Sequence, residues 1–418
     1  MKLILVHNSY QHRGGEDMAF EQEVELLRSR GHQVIVYRRS NTEIDNYSPL
    51  RRVSLAKQVV WASDTHDEVA SLIRREKPDL VHVHNTFLMI SPSVYSACRG
   101  AGVPVVQTLH NYRLLCPAAN LLRRGQPCER CVRGTLLHGV VHACYRDSRS
   151  STAMLALMLA VHRMRRTWSD MVDCYIALTE FALRKFVEGG VPADKLVVKP
   201  NFVHPDPGFR DGFGEHAIYV GRLSSEKGVA TLVQAWKWLR DPVPLMVIGD
   251  GPLRETLKSE IKGDSRVRFC GLLPRTEVLA LLKRARFLVL PSCCYENFPM
   301  SIAEAYACSV PVIGSDIGAM QQLIDHGRTG LLFRVGDAED LAQSVEWAWN
   351  HPADLKRMGE NCRAEFKSKY SAEQNYAALM AIYESVTRNR PIASAVSEAA
   401  EFRTFSSSLL RSYTEPKL

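Results

Sequence analysis

No run of about 18 apolar residues, the length a membrane-crossing helix needs, occurs in the 418-residue chain. The opening Met1-Lys-Leu-Ile-Leu-Val-His7 is too short and too soon polar for an export signal, so a cytoplasmic location is expected. Without that signal, eleven cysteines argue for thiols or metal ligands rather than a disulfide framework. No aromatic stacking platform joins the basic residues, which disfavours a nucleic-acid partner. The full GxGxxG fingerprint of a dinucleotide fold is missing as well.

The composition, 46% hydrophobic, is that of a globular protein, and the length suggests two or three domains. A formal net charge of +8 points to an anionic partner, such as a nucleotide diphosphate or an acidic lipid surface. Residues 2–6 read as a buried strand, Gly14-Gly15 as a glycine loop, 16–30 as a helix and 32–37 as the next strand, a Rossmann-like opening. Helices at 64–76 and 91–99 then alternate with strands at 79–84, 103–109, 173–178 and 195–199. Such alternation predicts an α/β fold with parallel sheets and crossover helices. Pro205, Pro207 and Gly208 mark 201–208 as a linker between a first domain, 1–200, and a second, 209–369, which repeats the alternation.

The most informative stretch joins a strand to a helix. Phe287-Leu-Val-Leu290 is a short apolar run ended by Pro291, and residues 301–307 are rich in helix formers. The joint plants Glu296 in a loop and Glu304 about a turn and a half into the helix. In an open parallel sheet such joints lie at the carboxyl ends of strands, where ligands bind, and the free N–H groups of a helix start favour anions. A phosphate is therefore expected on the backbone at Asn297, Phe298, Pro299 and Met300. Carboxylates beside a phosphate are unfavourable unless they bind hydroxyls or cations are supplied. The cations stand in Gly221-Arg222-Leu-Ser-Ser-Glu226-Lys227-Gly228, after strand 217–221, where Arg222 and Lys227 would neutralise a leaving diphosphate. The combination points to a nucleotide sugar.

With these pieces the chain resembles the family-4 retaining glycosyltransferases of the GT-B fold, two Rossmann-like domains facing each other across a cleft. Glu296 and Glu304 at Glu-x7-Glu spacing, the 221–228 segment and Gly14-Gly15-Glu16-Asp17 carry the resemblance, which covers about residues 1–390. It implies transfer of a hexose, or a related sugar, from a UDP- or GDP-linked donor to a lipid-linked or saccharide hydroxyl with the anomeric configuration kept. Surface polysaccharide or glycolipid assembly is the commonest setting. Glu296 would grip the sugar, Glu304 the ribose, and Gly15 would let the diphosphate approach, with Glu16 or its neighbours at the acceptor. Gly249, Gly251 and Gly271 would wall the base and ribose. His110, at the end of its strand, matches a histidine close to the transferred sugar; a satisfied strand-end histidine is the other reading. No metal or other cofactor is required for catalysis. Residues 370–390 would cross back as a last helix, and 391–418 read as a flexible tail. One departure is Asn297, where many relatives have glycine. A sugar-nucleotide epimerase and a non-catalytic nucleotide binder on the same fold remain alternatives.

Three features stand apart. His82 and His84 face one way on their strand like a metal pair but lack an evident third ligand, so hydrogen bonding at the sheet end is expected. Cys116, Cys128, Cys131 and Cys144 lie in a Pro/Gly/Arg-rich insert, 113–149, and leave open a structural zinc site, free thiols or a disulfide. Residues 150–168 are apolar, flanked by arginines and closed by Trp168. They fit either a helix lying on an anionic membrane surface, making the protein peripheral there, or a core helix.

Overall fold

The computed structural model describes residues 1–11, 13–46, 49–210 and 212–388; the expected tail lies outside them. Two six-stranded parallel sheets carry the chain. The first comprises β1 (Lys2–Ser9), β2 (Gln33–Ser40), β3 (Leu80–Asn85) and β4 (Val105–Leu109), then β7 (Cys174–Ala177) and β8 (Leu196–Val198), in the order β2-β1-β3-β4-β7-β8. Between β4 and β7 the insert folds as a two-stranded ribbon, β5 (Leu122–Arg123) and β6 (Gln126–Pro127), with short helices. The second sheet comprises β9 (His216–Val220), β10 (Leu245–Ile248), β11 (Val267–Gly271), β12 (Ala285–Leu290), β13 (Val312–Ser315) and β14 (Gly330–Phe333), in the order β11-β10-β9-β12-β13-β14.

Strand runs such as Leu3-Ile-Leu-Val6 and Phe287-Leu-Val-Leu290 are buried on both faces, as parallel strands covered by helices must be. In the second sheet β9 has β10 on one side and β12 on the other, although β12 comes three crossovers after β9 along the chain. The strand order reverses there, and the crevice opens between the loops that leave β9 and β12. These are the two segments that carry Arg222, Lys227 and Glu296.

The helix Ala372–Thr387 starts at Ser371, whose hydroxyl accepts from Gln374 N at 3.4 Å, a cap for a free amide. It leaves the second lobe and packs on the first: Leu379, Ile382 and Tyr383 are fully buried beside Leu3, Leu5, Phe20, Val106 and Ile176. Val203 forms a parallel bridge with Ser371, and Asn375 Nδ2 donates to Pro200 O at 3.0 Å, so both connections between lobes run side by side. Among the described residues no helix is long and apolar enough to cross a membrane.

Because this helix fills the first lobe's core, truncating it there leaves a cavity. Leu379→Ala is expected to lower unfolding stability by about 2–5 kcal/mol. Urea denaturation followed by far-UV circular dichroism, with exposed Leu137→Ala as the control, checks this.

Candidate active site

On the second lobe the loops after β9 and β12 touch. Gly228 sits at φ +65°, and a Cβ there would lie 1.7 Å from Pro291 O, so only glycine lets the loops meet this closely. The approach brings Lys227 Nζ to 2.6 Å from Glu296 Oε1, which also accepts from Ser292 Oγ at 2.7 Å. Burial opposes the Lys227 charge, but the Glu296 carboxylate outweighs it and holds the ammonium pKa above its ordinary value. Arg222 is exposed at the end of β9 and has no side-chain partner among the described residues. The eight-residue helix Met300–Ala307 begins with no side-chain cap. Phe298 and Met300 bury their side chains, Phe298 edge-on to Tyr370, so this stretch offers its backbone to a ligand.

Glu304 is 3% exposed, and Arg275 Nε lies 3.0 Å from its Oε1. Burial raises the Glu304 pKa and Arg275 opposes that rise. Arg275 also reaches His204 O at 2.9 Å and Gln22 Oε1 of the first lobe at 3.3 Å. Nothing in the sequence around Arg275 singled it out, since its partner lies 29 residues away. Among the glycines expected to wall the base, Gly249 has φ +134°, and a Cβ there would fall 1.8 Å from Gly221 O. Gly249 N donates to Gly271 O at 2.8 Å, which joins two of the three expected base-wall glycines.

On the first lobe the glycine loop is held by Asp17, whose carboxylate accepts from Gly14 N at 3.0 Å and pairs with His7 Nε2 at 2.9 Å. A Cβ on Gly15 would meet the Met300 side chain at 3.3 Å, so the two helix starts face each other across the cleft. Beside Gly15, Glu16 Oε2 accepts from Asn111 Nδ2 at 3.2 Å, while its Oε1 is buried without a hydrogen-bond partner. Burial pushes the Glu16 carboxyl up to about 8, with Asp17 adding to the rise and Asn111 and Arg113 opposing it. The Asn111 amide also lies 3.3 Å from Tyr10 OH. His110 stands next to this group, its Nε2 2.9 Å from His84 Nδ1. Asn297 Nδ2 donates to Leu109 O at 2.6 Å, pinning one lobe to the other.

Two family models match. "Glycosyltransferase Family 4" covers residues 14–207, and "Glycosyl transferases group 1" covers 214–351. The chain belongs to the family-4, group 1 glycosyltransferases. The 2-deoxystreptamine glucosyltransferase of Streptomyces kanamyceticus is 26% identical over 337 residues, 78% of this chain and 82% of the relative. The glycogen synthase of Mycobacterium tuberculosis is 33% identical over 177 residues, 41% of this chain, and the match spans only 42% of that relative's length. In three dimensions the chain is similar to Anabaena HepE, solved in complex with UDP and glucose. The TM-score is 0.65 at 17% identity, with 92% of this chain and all of that one covered. The fold of this glycosyltransferase is thus GT-B.

Three readings that the sequence left open are narrowed, and the hydrogen bonding expected of His82 and His84 is present, to Tyr383, Thr108 and Glu23. Among the described residues the sulfurs of Cys116, Cys128, Cys131 and Cys144 do not form a set of three within 4.8 Å, the reach of one ion, and all four are free, which leaves zinc and disulfide without support. Cys131 is near enough to the other three for them to add to the burial that pushes its thiol up to about 11. The only group of that reach among the described residues is Glu23, His82 and His84, so the helix Gly15–Ser29 supplies the third side chain that the strand lacked. Trp168 is buried, edge-on to Tyr95, because the helix Arg149–Met164 ends before it and the chain turns inward; it is no membrane anchor.

A carboxyl whose pKa rises on folding stabilises the fold at low pH, and that contribution is lost as pH climbs from the unfolded value, about 4.5, through the folded value, about 8. Across this window the glycosyltransferase should lose stability relative to Glu16→Gln by up to about 1.4 kcal/mol per pH unit. Paired denaturation curves at pH 5, 6.5 and 8 check the slope; parallel lines for the two proteins would refute it.

Proposed function

We propose that this enzyme transfers a hexose, or a related sugar, from a nucleoside diphosphate to an acceptor hydroxyl and retains the anomeric configuration. One observation carries the reading. At the strand-order reversal of the second sheet, the Lys227–Glu296 pair stands beside the uncapped start of Met300–Ala307, directly across from Gly15. The arrangement suits a diphosphate lying between two helix starts, with its charge met by Lys227, Arg222 and backbone amides.

In the proposed reaction the bond between the anomeric carbon and the diphosphate oxygen breaks, and its electron pair leaves with the phosphate. The acceptor hydroxyl adds on the same face and passes its proton to that phosphate oxygen, so no side chain is needed as a strong base. Lys227 and Arg222 stabilise the leaving charge. Glu296 already carries one cation on Oε1, and its Oε2, without a hydrogen-bond partner among the described residues, is available for sugar hydroxyls and for the positive charge that develops on the ring. Glu304 binds the ribose hydroxyls, and Gly249, Gly251 and Gly271 let the base and ribose approach the backbone. A uridine or guanosine diphosphate donor is favoured; the neighbour bound to UDP supports uridine. The acceptor enters past Glu16, Tyr10 and Asn111, where a neutral carboxyl can donate a hydrogen bond to a sugar oxygen.

A lipid-linked or saccharide acceptor in surface polysaccharide assembly fits a further feature. The packed helices Leu137–Val141 and Arg149–Met164 expose Leu137, Val141, Leu157 and Met164, beside Arg146, Arg149 and Arg165. An apolar, arginine-edged surface of this kind can rest on anionic lipid.

Incubation with a panel of UDP- and GDP-sugars and membrane lipid extract should release the nucleoside diphosphate only when acceptor is present, which separates transfer from epimerisation. Proton NMR of the product should show the donor's anomeric configuration. Lys227→Ala and Glu296→Ala should each lower kcat/KM by about 10²–10³-fold; turnover like wild type in both would defeat the assignment. Vesicles with anionic lipid should co-sediment the enzyme, and Leu157→Glu with Met164→Glu should abolish this.

A further inference from the structure

A buried chain of hydrogen bonds runs behind His110. Glu23, 3% exposed on the helix Gly15–Ser29, has Lys199 Nζ 3.3 Å from its Oε2. Its Oε1 lies 2.9 Å from His82 Nδ1 and 3.1 Å from His84 Nε2. On the far side of His84, Nδ1 is 2.9 Å from His110 Nε2, and the two rings stack with centroids 5.2 Å apart. Phe20 stands edge-on to His84 at 5.1 Å and fixes the plane of that ring. Glu23, His82 and His84 approach one another as metal ligands would. The Lys199 ammonium, itself 3.3 Å from Asn375 Oδ1, already supplies the cation.

The protons in this chain can be assigned one by one. Burial alone would raise the Glu23 pKa, but Lys199, His82 and His84 outweigh it and hold the carboxyl well below its ordinary range. An ionised carboxylate only accepts hydrogen bonds, so His84 must carry its proton on Nε2. Burial pushes the His84 pKa down to about 3, so this ring is neutral and its Nδ1 is a bare lone pair. Two lone pairs cannot face each other at 2.9 Å; His110 must therefore be protonated on Nε2. His110, also kept neutral by burial, is left with a bare Nδ1, which has no hydrogen-bond partner among the described residues.

We propose that Glu23 and His84 are positioning residues that lock His110 in its Nε2–H tautomer, so that His110 Nδ1 accepts a hydrogen bond from a hydroxyl of the transferred sugar. This rests on the reading that His110 faces that sugar. It adds a chemical requirement: at this contact the donor must present an O–H, and a deoxy or O-methyl sugar there loses the bond. Lys199 and the returning helix, through Asn375 and Tyr383, hold the far end of the chain; Tyr383 OH lies 2.7 Å from His82 Nδ1.

The test is made on the full-length protein with ¹⁵N-labelled histidine, the His110 signals being assigned by their loss in His110→Asn. Without substrate, His110 should show a protonated Nε2 and an unprotonated Nδ1; a protonated Nδ1 would overturn the proposal while leaving the transferase reading intact. His84→Gln keeps an amide that can donate to Glu23 and an oxygen that can accept from His110. It should retain the tautomer and keep kcat within about threefold of wild type. His84→Phe keeps the ring packing but not the acceptor, and should mix the tautomers and lower kcat about tenfold or more. Equal kcat in the two variants would overturn the proposal. A wild-type protein with the expected spectrum but no turnover of any nucleotide sugar would remove the transferase reading and, with it, the role given to Nδ1.

Discussion

An ion pair 2.6 Å long, Lys227 to Glu296, is the constraint on which the cleft depends. Its partners come from loops after adjacent strands that are far apart in sequence, and it exists only because Gly228 lets those loops touch. Both side chains are partly withdrawn from water, 31% and 12% exposed, so each charge needs the other to offset its lost hydration. The pair keeps a cation charged where a diphosphate would lie. It would also shield the proposed diphosphate from the nearby Glu296. A lysine with no such partner at this depth would have its pKa lowered and would meet the ligand less charged.

The two lobes are fastened at several points that differ in kind. Asn297 to Leu109 O and Arg275 to Gln22 cross the cleft directly, whereas the helix Ala372–Thr387 joins the lobes by burying apolar side chains in the first core. A buried helix is costly to move; single hydrogen bonds exchange readily with ligand or water. Arg275 is the contact most exposed to competition, since it occupies the Glu304 carboxylate proposed for the ribose. Nucleotide binding at Glu304 would therefore be coupled to the Arg275 bridge between lobes.

The strand-and-helix alternation was legible because parallel strands buried on both faces read as short apolar runs, and the glycines between them read as turns. Glu296, Lys227 and Gly15 were legible for a second reason: each stands at the end of a strand or the start of a helix, where chemistry and local structure share one signal. Asn297 was singled out as unusual, but its partner, Leu109 O, lies 188 residues away and no local pattern announces it. The same holds for Arg275 and for Glu23, which completes the set begun by His82 and His84. In the insert, spacing suggested four sulfurs on one ion, but spacing along a chain does not fix how a turn-rich loop folds. Ala119, Leu121, Arg124, Ala143, Arg146 and Asp147 all take positive φ there, a path that composition does not encode.

The lobes also manage charge in opposite ways. The second places a cation against a carboxylate at the cleft. The first keeps Glu16 protonated by burial and His110 uncharged at the cleft, and it sets its ionised carboxylates back: Asp17 lies buried against His7, and Glu23 lies behind His84 and is matched by Lys199. The division follows from what the proposed substrate brings. A donor carrying two phosphates would be repelled by an ionised Glu16 beside Gly15, whereas a neutral carboxyl there leaves the diphosphate's charge to Lys227 and Arg222 and can still bind an acceptor hydroxyl. Binding an anion nearby would raise the Glu16 pKa further, so donor binding would reinforce the neutral state that burial already favours.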